Sequence, residues 1–550
     1  MAATNASAHT ETTPVPEAGG TSGLARLVKF CFCSLVLLLA IFQFSENTAD
    51  PDLWGHIVFG QHMFQSGTIP KADFYSWTAN GHPWINHEVL AEILLGGAHA
   101  LWGGTGVLLL KMLVGLGAFF LALRLGGLKL SWPARYVAWT IAALAVVEIS
   151  FGFAARPQIF TALFLAIELG LLIRLHSGSP LWALGLPVLF LVWINTHGGV
   201  LAGFGLLGLT AACTTTQRFL SKASTPQPPN FRSGTIAALW LGVVAAGLAL
   251  LCNPWRAELV RWLIGSVLWL RPQIEEWNPT PLGWDHAAFF FLLALTAFAW
   301  TFTRRPRAWW ELAACAAFAF LGLRSVRNVP LFALVALALV PAHFADALSR
   351  FQDQFERLQS LWQQTSTQKL ACVLMAAASL GTAVAIFTLH KEHPLTMEVP
   401  RSRYPVGALS FIQEHGLRGR LLVFFDWGEQ AIFHLPDCPP SVDGRLDTCY
   451  PRELIGAHWK LYTGEPLDDT VLNPDQADIA LLLSKLPGTA ELAHRPGWKL
   501  AYFDDLSAVL VRQPARFAGL SGLNLPIEGA KTNALGRAPF PDKNPRWKTR

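Results

Sequence analysis

Apolar runs recur along the first 390 residues with almost no charge inside them, and this feature narrows the fold more than any motif. The first run follows Arg26 and Lys29 and ends near Phe44. Others lie near 88–103, 105–123, 136–155, 157–174, 181–196, 198–214, 234–252, 286–303, 308–322, 328–346 and 369–389. Crossing about 30 Å of hydrocarbon takes about 20 apolar residues, so the shorter runs must tilt, re-enter or pair. The pattern predicts a mostly α, polytopic membrane protein with about 11–13 transmembrane helices. Composition agrees: 52% hydrophobic, 14% charged, mean hydropathy +0.36. A soluble chain carries about 25% charged residues, so a soluble enzyme, a coiled coil and a disordered scaffold are excluded. The net charge of +5 is spread over many loops and gives no reason to expect nucleic acid.

Lys and Arg mark the cytoplasmic ends of spans. Arg26/Lys29, Arg124/Lys129, Arg174, Arg218/Lys222/Arg232, Arg304/Arg305/Arg307 and Arg350/Arg357 fall on that side. The alternation then leaves one net crossing for 88–123, although two apolar runs lie there. Either 88–103 is not a full span, or Arg124 and Lys129 lie outside. Four regions follow: a polar, disordered cytoplasmic tail over 1–22, a membrane domain over 23–390, an extracytoplasmic α/β domain over 391–516, and a Pro-rich basic tail over 517–550. In the third, 406–415 reads as a helix, and Leu421–Phe425, Ile479–Leu483 and Ala508–Arg512 read as strands.

The outer face collects the chemistry. Its first loop, 45–87, runs on to Glu88 and holds Glu46, Asp50, Asp52 and Asp73 with a single Lys71, plus His56, His62, His82 and His87. Asp50 reads as an N-cap with Pro51 at the first helical position and Asp52 favouring the dipole. Equally, Asp52 or Asp50 is a general base or a ligand for a divalent ion such as Mg²⁺ or Mn²⁺. His56 lies one turn beyond Asp52 on the same helical face. His82-Pro83-Trp84 and Asn86-His87-Glu88 close the loop; the latter either cap the next helix or meet a phosphate.

Ionisable groups at membrane depth cost about 2.5–3.5 kcal/mol each, so they need partners or a wet cavity. Arg156, Glu168, His197, Arg256, Glu275, Glu276, Arg324 and Arg327 form this set. Arg156, Arg324 and Arg327 share the outer face and suit bidentate phosphate recognition, or salt bridges to Glu275, Glu276 and the loop acids. Glu168 falls mid-helix, where it would hydrogen-bond a neighbouring span. In the tail, Phe424-Phe425-Asp426-Trp427-Gly428-Glu429 and Ser441-Val442-Asp443-Gly444-Arg445 offer carboxylates and aromatic faces to a sugar or polar acceptor, or simply end a strand and make a turn. Cys438 and Cys449 are spaced so that a disulfide is permitted without being required.

These residues resemble the membrane-embedded C-type (GT-C fold) glycosyltransferases, which include protein mannosyltransferases, lipid A aminoarabinose transferases and the oligosaccharyltransferase catalytic subunit. The likeness rests on the polytopic core, the acidic Asp50-Pro51-Asp52 in a long first outer loop, His82-Pro83 before the next helix, and an outer C-terminal domain. Phe424-Phe425-Asp426-Trp427-Gly428 is similar, type for type, to the oligosaccharyltransferase WWDYG motif, and Asp50 to His56 to a bacterial branch opening with DPDLWWH-like sequences. No second D-x-D is evident in a later outer loop, and His82-Pro83-Trp84 departs from His-Pro-Pro, so metal dependence and substrate do not carry over. The resemblance implies a multi-pass protein of the bacterial inner membrane that moves a sugar from a polyprenyl-phosphate donor to an acceptor on the outer face. Asp52 or Asp50 would act as base. Arg324, Arg327, Arg156, His87, Glu88 and His197 would hold the lipid phosphate. Asp426, Trp427, Asp443 and Arg445 would meet the acceptor. Two other classes stay open. A lipid or solute transporter predicts internal repeats and broken mid-membrane helices, of which no repeat is clear. A non-catalytic envelope-assembly protein predicts no turnover.

Overall fold

The computed structural model describes residues 23–127, 130, 134–220, 233–268, 274–351, 360, 364–389, 392–531 and 536–545. The expectations on residues 1–22, Lys129, Lys222, Arg232 and Arg357 lie outside the described residues. Six described helices are long and apolar enough to cross a membrane: Gly23–Phe44, Val89–Gly127, Gln158–His176, Val200–Leu220, Trp284–Phe302 and Thr365–Thr388. A pair bent by 56°, Val326–Leu339 and Pro341–Ser349, is either a broken seventh span or a re-entrant segment. Pro341 lacks the N–H that would carry the helix through the bend. Shorter apolar helices, Pro180–Ile194 and Gly234–Ala249, lie among the described elements. The chain is a multi-pass membrane protein. Several of the shorter expected runs form helices too short to cross alone, such as Ala134–Ser150 and Gly234–Ala249. Val329–Leu339 is apolar on all sides and buried along nearly its whole length, which places it at the bundle core.

The helix Val89–Gly127 bears on the open question of 88–123. It breaks at Trp102 and Gly103, where Gly103 has φ 58° and ψ −143°, a conformation that suits glycine. A Cβ on Gly103 would meet Asp542, and one on Gly104 would meet Thr396 and Phe540. The first half packs beside the loop helix Leu53–Ser66, and the ring of His99 bonds the Pro541 carbonyl at 2.7 Å. The run 88–103 therefore packs with residues after 390, and the break at Trp102–Gly103 sets it off from the run 105–123.

Past residue 392 the chain forms two sheets. A five-stranded mixed sheet orders Leu421–Val423 (β2), Ile479–Leu483 (β3), Ser507–Arg512 (β5), Trp498–Phe503 (β4) and Ile527–Glu528 (β6). The pairs β2/β3 and β4/β6 are parallel, and β3/β5 and β4/β5 are antiparallel. A separate antiparallel pair joins Glu398–Pro400 (β1) to Arg537–Pro539 (β7). The strand interiors, such as Ile479-Ala480-Leu481-Leu482, are buried on both faces, which explains their unbroken apolar run.

The first loop and this domain are knitted into one body. Ala49 and Glu398 exchange a backbone bond (2.7 Å), the Tyr404 hydroxyl donates to the Ala49 carbonyl (2.6 Å), and Trp77 Nε1 donates to the Leu421 carbonyl (3.1 Å). Arg445 ties the two most tightly. Its guanidinium meets Asp73 and Asp443, each at 2.7 Å, and stacks within 6 Å of the rings of Phe59, Tyr75, Trp84 and Tyr450. Cys438 and Cys449 are both free thiols, each buried. The mid-helix Glu168 is buried, and neither carboxyl oxygen has a hydrogen-bond partner among the described residues, contrary to the expected bond to a neighbouring span.

Candidate active site

The loop helix begins at Leu53 with Asp52 as its N-cap, two residues later than the sequence reading placed it. The Asp52 side chain makes no capping bond. Asp50 instead folds back to accept the Asp52 N–H at 3.0 Å and also takes a hydrogen bond from Arg156 Nε. Arg156 Nη2 lies 3.5 Å from Asp52, and its Nη1 lies 3.5 Å from Glu276. Asp50 is buried and occupied on both counts, whereas the Asp52 side chain keeps 27% of its surface exposed. Of the two acids, Asp52 is the one open to a ligand.

From Glu276 a line of polar groups continues. Arg327 Nη1 bonds Glu276 at 3.1 Å, its guanidinium lies over the Trp277 ring at 5.0 Å, and its Nη2 lies 3.4 Å from His197 Nε2. His197 Nε2 lies 3.9 Å from Glu88, which lies 3.4 Å from His87 Nε2. The His197 tautomer is set from behind. The Gly199 N–H (3.0 Å) and the Thr161 hydroxyl (2.8 Å) both converge on Nδ1, and Trp193 Nε1 donates to that same hydroxyl at 3.1 Å. Nδ1 is thus an acceptor, and the proton sits on Nε2 on the side of Glu88; the Arg327 guanidinium, itself only a donor, lies near Nε2 without a hydrogen bond to it. Arg324 does not join this line. It is exposed at the end of the helix Trp309–Arg324 and makes no ion pair among the described residues.

The tail domain brings Glu429 to the same place. Glu429 Oε2 accepts the Gly55 N–H at 3.1 Å, inside the first turn of the loop helix. A Cβ on Gly55 would overlap this carboxyl, and one on Gly444 would overlap Asp52 Oδ1 and come 2.8 Å from Glu429 Oε1. Two glycines therefore make the room in which two carboxyls from distant parts of the chain approach one another. Asp426 is near enough to act electrostatically on Asp52, with Arg403 and Arg156 opposing it. Sequence reasoning quoted Glu429 but gave it no role, and did not single out Glu92. The available signals were the position of Glu429 directly after Trp427-Gly428 and the one-turn spacing of Glu92 from Glu88.

Electrostatics divide these acids. Burial pushes the Asp52 carboxyl up to about 7 against the pull of Arg156, with Asp50 and Asp426 adding to the rise. Burial, with Asp52 beside it, likewise holds Glu429 well above the usual carboxylate range. Burial also works to raise Glu88, but His87, His56 and Arg327 outweigh it and hold that group low. Burial drives His197 down to about 3, so it is a neutral imidazole.

His56 Nδ1, Glu88 and Glu92 place one ligand atom each within 4.8 Å of one another. Asn86 Nδ2 holds Glu92 at 2.6 Å, the outer hydrogen bond that orients a ligating carboxylate. A mixed imidazole and carboxylate set is suited to a divalent ion. Asp50 and Asp52, expected to hold one, face the Arg156 guanidinium, which already supplies positive charge between them. Three residues expected at the acceptor are also placed otherwise. Trp427 is buried with Nε1 on the Arg403 carbonyl (3.2 Å), and Asp443 and Arg445 are buried in the ionic knot described above. Asp426 alone of that group lies near Asp52.

No protein-family model and no curated protein matches the chain. Solved structures do. ArnT from Cupriavidus metallidurans in the apo state is similar at a TM-score of 0.56 and 14% identity, over 90% of this chain and 99% of that one. The oligosaccharyltransferase AglB from Archaeoglobus fulgidus, in complex with an inhibitory peptide and a dolichol-phosphate, gives 0.55 and 11%, over 83% of this chain and 69% of that one. A structure of the Archaeoglobus fulgidus oligosaccharyltransferase in complex with Zn and sulfate gives 0.50 and 12%, over 82% and 68%. The chain has the fold of these membrane proteins, the GT-C fold.

Proposed function

We propose that this protein is a membrane glycosyltransferase that moves a sugar from a polyprenyl-phosphate-linked donor to an acceptor at the outer face of the bacterial inner membrane. Its tail domain lies on that extracytoplasmic face. The observation that carries the reading is the convergence of Asp52, Arg156, Arg327 and His197, from four separate segments, on one partly open surface. In this reading Asp52 takes the proton of the acceptor hydroxyl, whose oxygen attacks the anomeric carbon. The bond from that carbon to the phosphate oxygen breaks, and the polyprenyl phosphate departs. Arg327, Arg156 and the Nε2–H of His197 stabilise the charge that develops on it. Glu276 occupies the anion position between the two arginines until the phosphate arrives. Asp426 would contribute to acceptor contact. The dolichol-phosphate bound to the archaeal neighbour supports the choice of lipid. A divalent ion, if one takes part, would be held by His56, Glu88 and Glu92 and would add positive charge near the phosphate. Its presence in a neighbour bound to Zn supports a metal without naming it.

The test is transfer itself. Purified protein, supplied with undecaprenyl-phosphate-linked sugar and an envelope extract as acceptor, should yield a glycosylated product by mass spectrometry, and Asp52→Asn should abolish it. Passage of the lipid-linked sugar across vesicles with no glycosidic product would instead favour a transporter.

A further inference from the structure

The N-cap of the loop helix is occupied by an aspartate that does not cap. An N-cap Asp ordinarily accepts the N–H of the second or third helical residue, and losing that bond costs helix stability. Here Gly55 is the third helical residue, and its N–H goes to Glu429, a residue of the tail domain. Glu429 is buried, and its carboxyl occupies the space that a Gly55 side chain would need. Gly444, one residue from the Arg445 knot, leaves the gap through which Asp52 and Glu429 lie side by side. Asp52 itself has helical backbone angles, φ −84° and ψ −10°, from which its side chain does not cap, so the bond to this N–H comes from Glu429.

We propose that Glu429 is a positioning residue that caps the loop helix from the tail domain and thereby fixes the Asp52 carboxylate toward Arg156 and the acceptor. The inference rests on the transferase reading for its consequence but not for its geometry. Without Glu429, the Gly55 N–H is left unmet and the first turn of the helix, which Asp52 begins, frays. Asp52 then loses its fixed place beside Arg156. The tail domain so becomes a condition for an available base: its docking arms the loop. Burial and the neighbouring Asp52 favour a protonated Glu429, which still offers Oε2 as an acceptor. The amide of glutamine offers the same oxygen, so Glu429→Gln should preserve the arrangement and Glu429→Ala should not.

The experiment uses the full chain in lipid nanodiscs, labelled with ¹⁵N-glycine, as wild type, Glu429→Ala and Glu429→Gln. Hydrogen exchange at the Gly55 amide should speed up in the alanine variant by about tenfold or more, the size expected for a lost cap, and stay near wild type in the glutamine variant. Turnover should fall by a similar factor of about ten or more in Glu429→Ala, with the KM for undecaprenyl-phosphate-linked sugar unchanged, and recover in Glu429→Gln. Unchanged Gly55 exchange in Glu429→Ala, or a glutamine variant as impaired as alanine, overturns the inference. Wild-type protein that transfers no sugar would defeat the transferase reading alone, because the Gly55 amide still reports the cap.

Discussion

Arg327 is held 3.1 Å from Glu276, and that one acid also lies 3.5 Å from Arg156. Glu276 is therefore a placeholder for an anion: it keeps two guanidiniums 21% and 29% exposed and aimed at the same space. Removing its charge frees both. Glu276→Gln should bind undecaprenyl phosphate several-fold more tightly, and Arg327→Ala about 10–100-fold more weakly, as loss of a charge-assisted hydrogen bond entails. Titration of the lipid into nanodisc-embedded protein checks both; a weaker Glu276→Gln would mean that the acid orients the arginines rather than occupying their site.

Turnover should follow the ionisation of Asp52. With its carboxyl pushed up to about 7, kcat/KM should rise tenfold per pH unit below that value and level off above it. Stability should run the other way. A carboxyl whose folded pKa exceeds its unfolded one penalises the folded state once pH is above the folded value, and the penalty is absent below the unfolded value. Asp52→Asn should accordingly melt higher than wild type at pH 8, with the gap closing as pH falls from 7 toward 4. A gap that is constant with pH would show that Asp52 is not desolvated.

The Arg445 knot is structural. Arg445→Ala would leave Asp73 and Asp443, neither with any exposed side chain, as buried unpaired charges and should cost about 3–5 kcal/mol of stability. Chemical unfolding followed by tryptophan fluorescence would show it. A loss of acceptor affinity at unchanged stability would return Arg445 to a binding role.

Zinc offers a check on the group His56, Glu88 and Glu92. Asn86→Ala, which frees Glu92 without removing a ligand, should weaken zinc binding about 10–100-fold, and His56→Ala should weaken it further. Competition with a coloured chelator measures both. Equal affinity in all three proteins would leave the cluster as a hydrogen-bond network.

Much of this was legible in the residues and some was not, for physical reasons. Apolar periodicity announces a membrane bundle; Arg156, Arg327 and His197 draw notice because charge at such depth needs a partner, and Asp52 and Glu88 because they stand in a long acidic loop. Pairing is a matter of three dimensions. Arg324 and Arg327 look equivalent in sequence, but Arg324 ends one helix on an exposed face while Arg327 sits in the turn beyond it, over Trp277. Asp443 and Arg445 look like a turn at a binding surface; only the aromatic rings contributed by Phe59, Tyr75 and Trp84 make them interior. Glu429 was overlooked because its partner, the Gly55 amide, is a backbone group that no pattern of side chains reveals.

The far end of the chain also has a bearing on when this protein becomes competent. Phe540 packs on Trp54, the Pro541 carbonyl holds His99, and Asn544 bonds Gln61 at 2.8 Å, so residues 537–544 brace the back of the helix that begins beside Asp52. The ribosome makes that helix well before its brace. Gln61 and Asn544 stand 483 residues apart, so the first loop acquires this support only after all the intervening segments have been made, and a nascent chain stalled short of residues 537–544 would hold the helix without it.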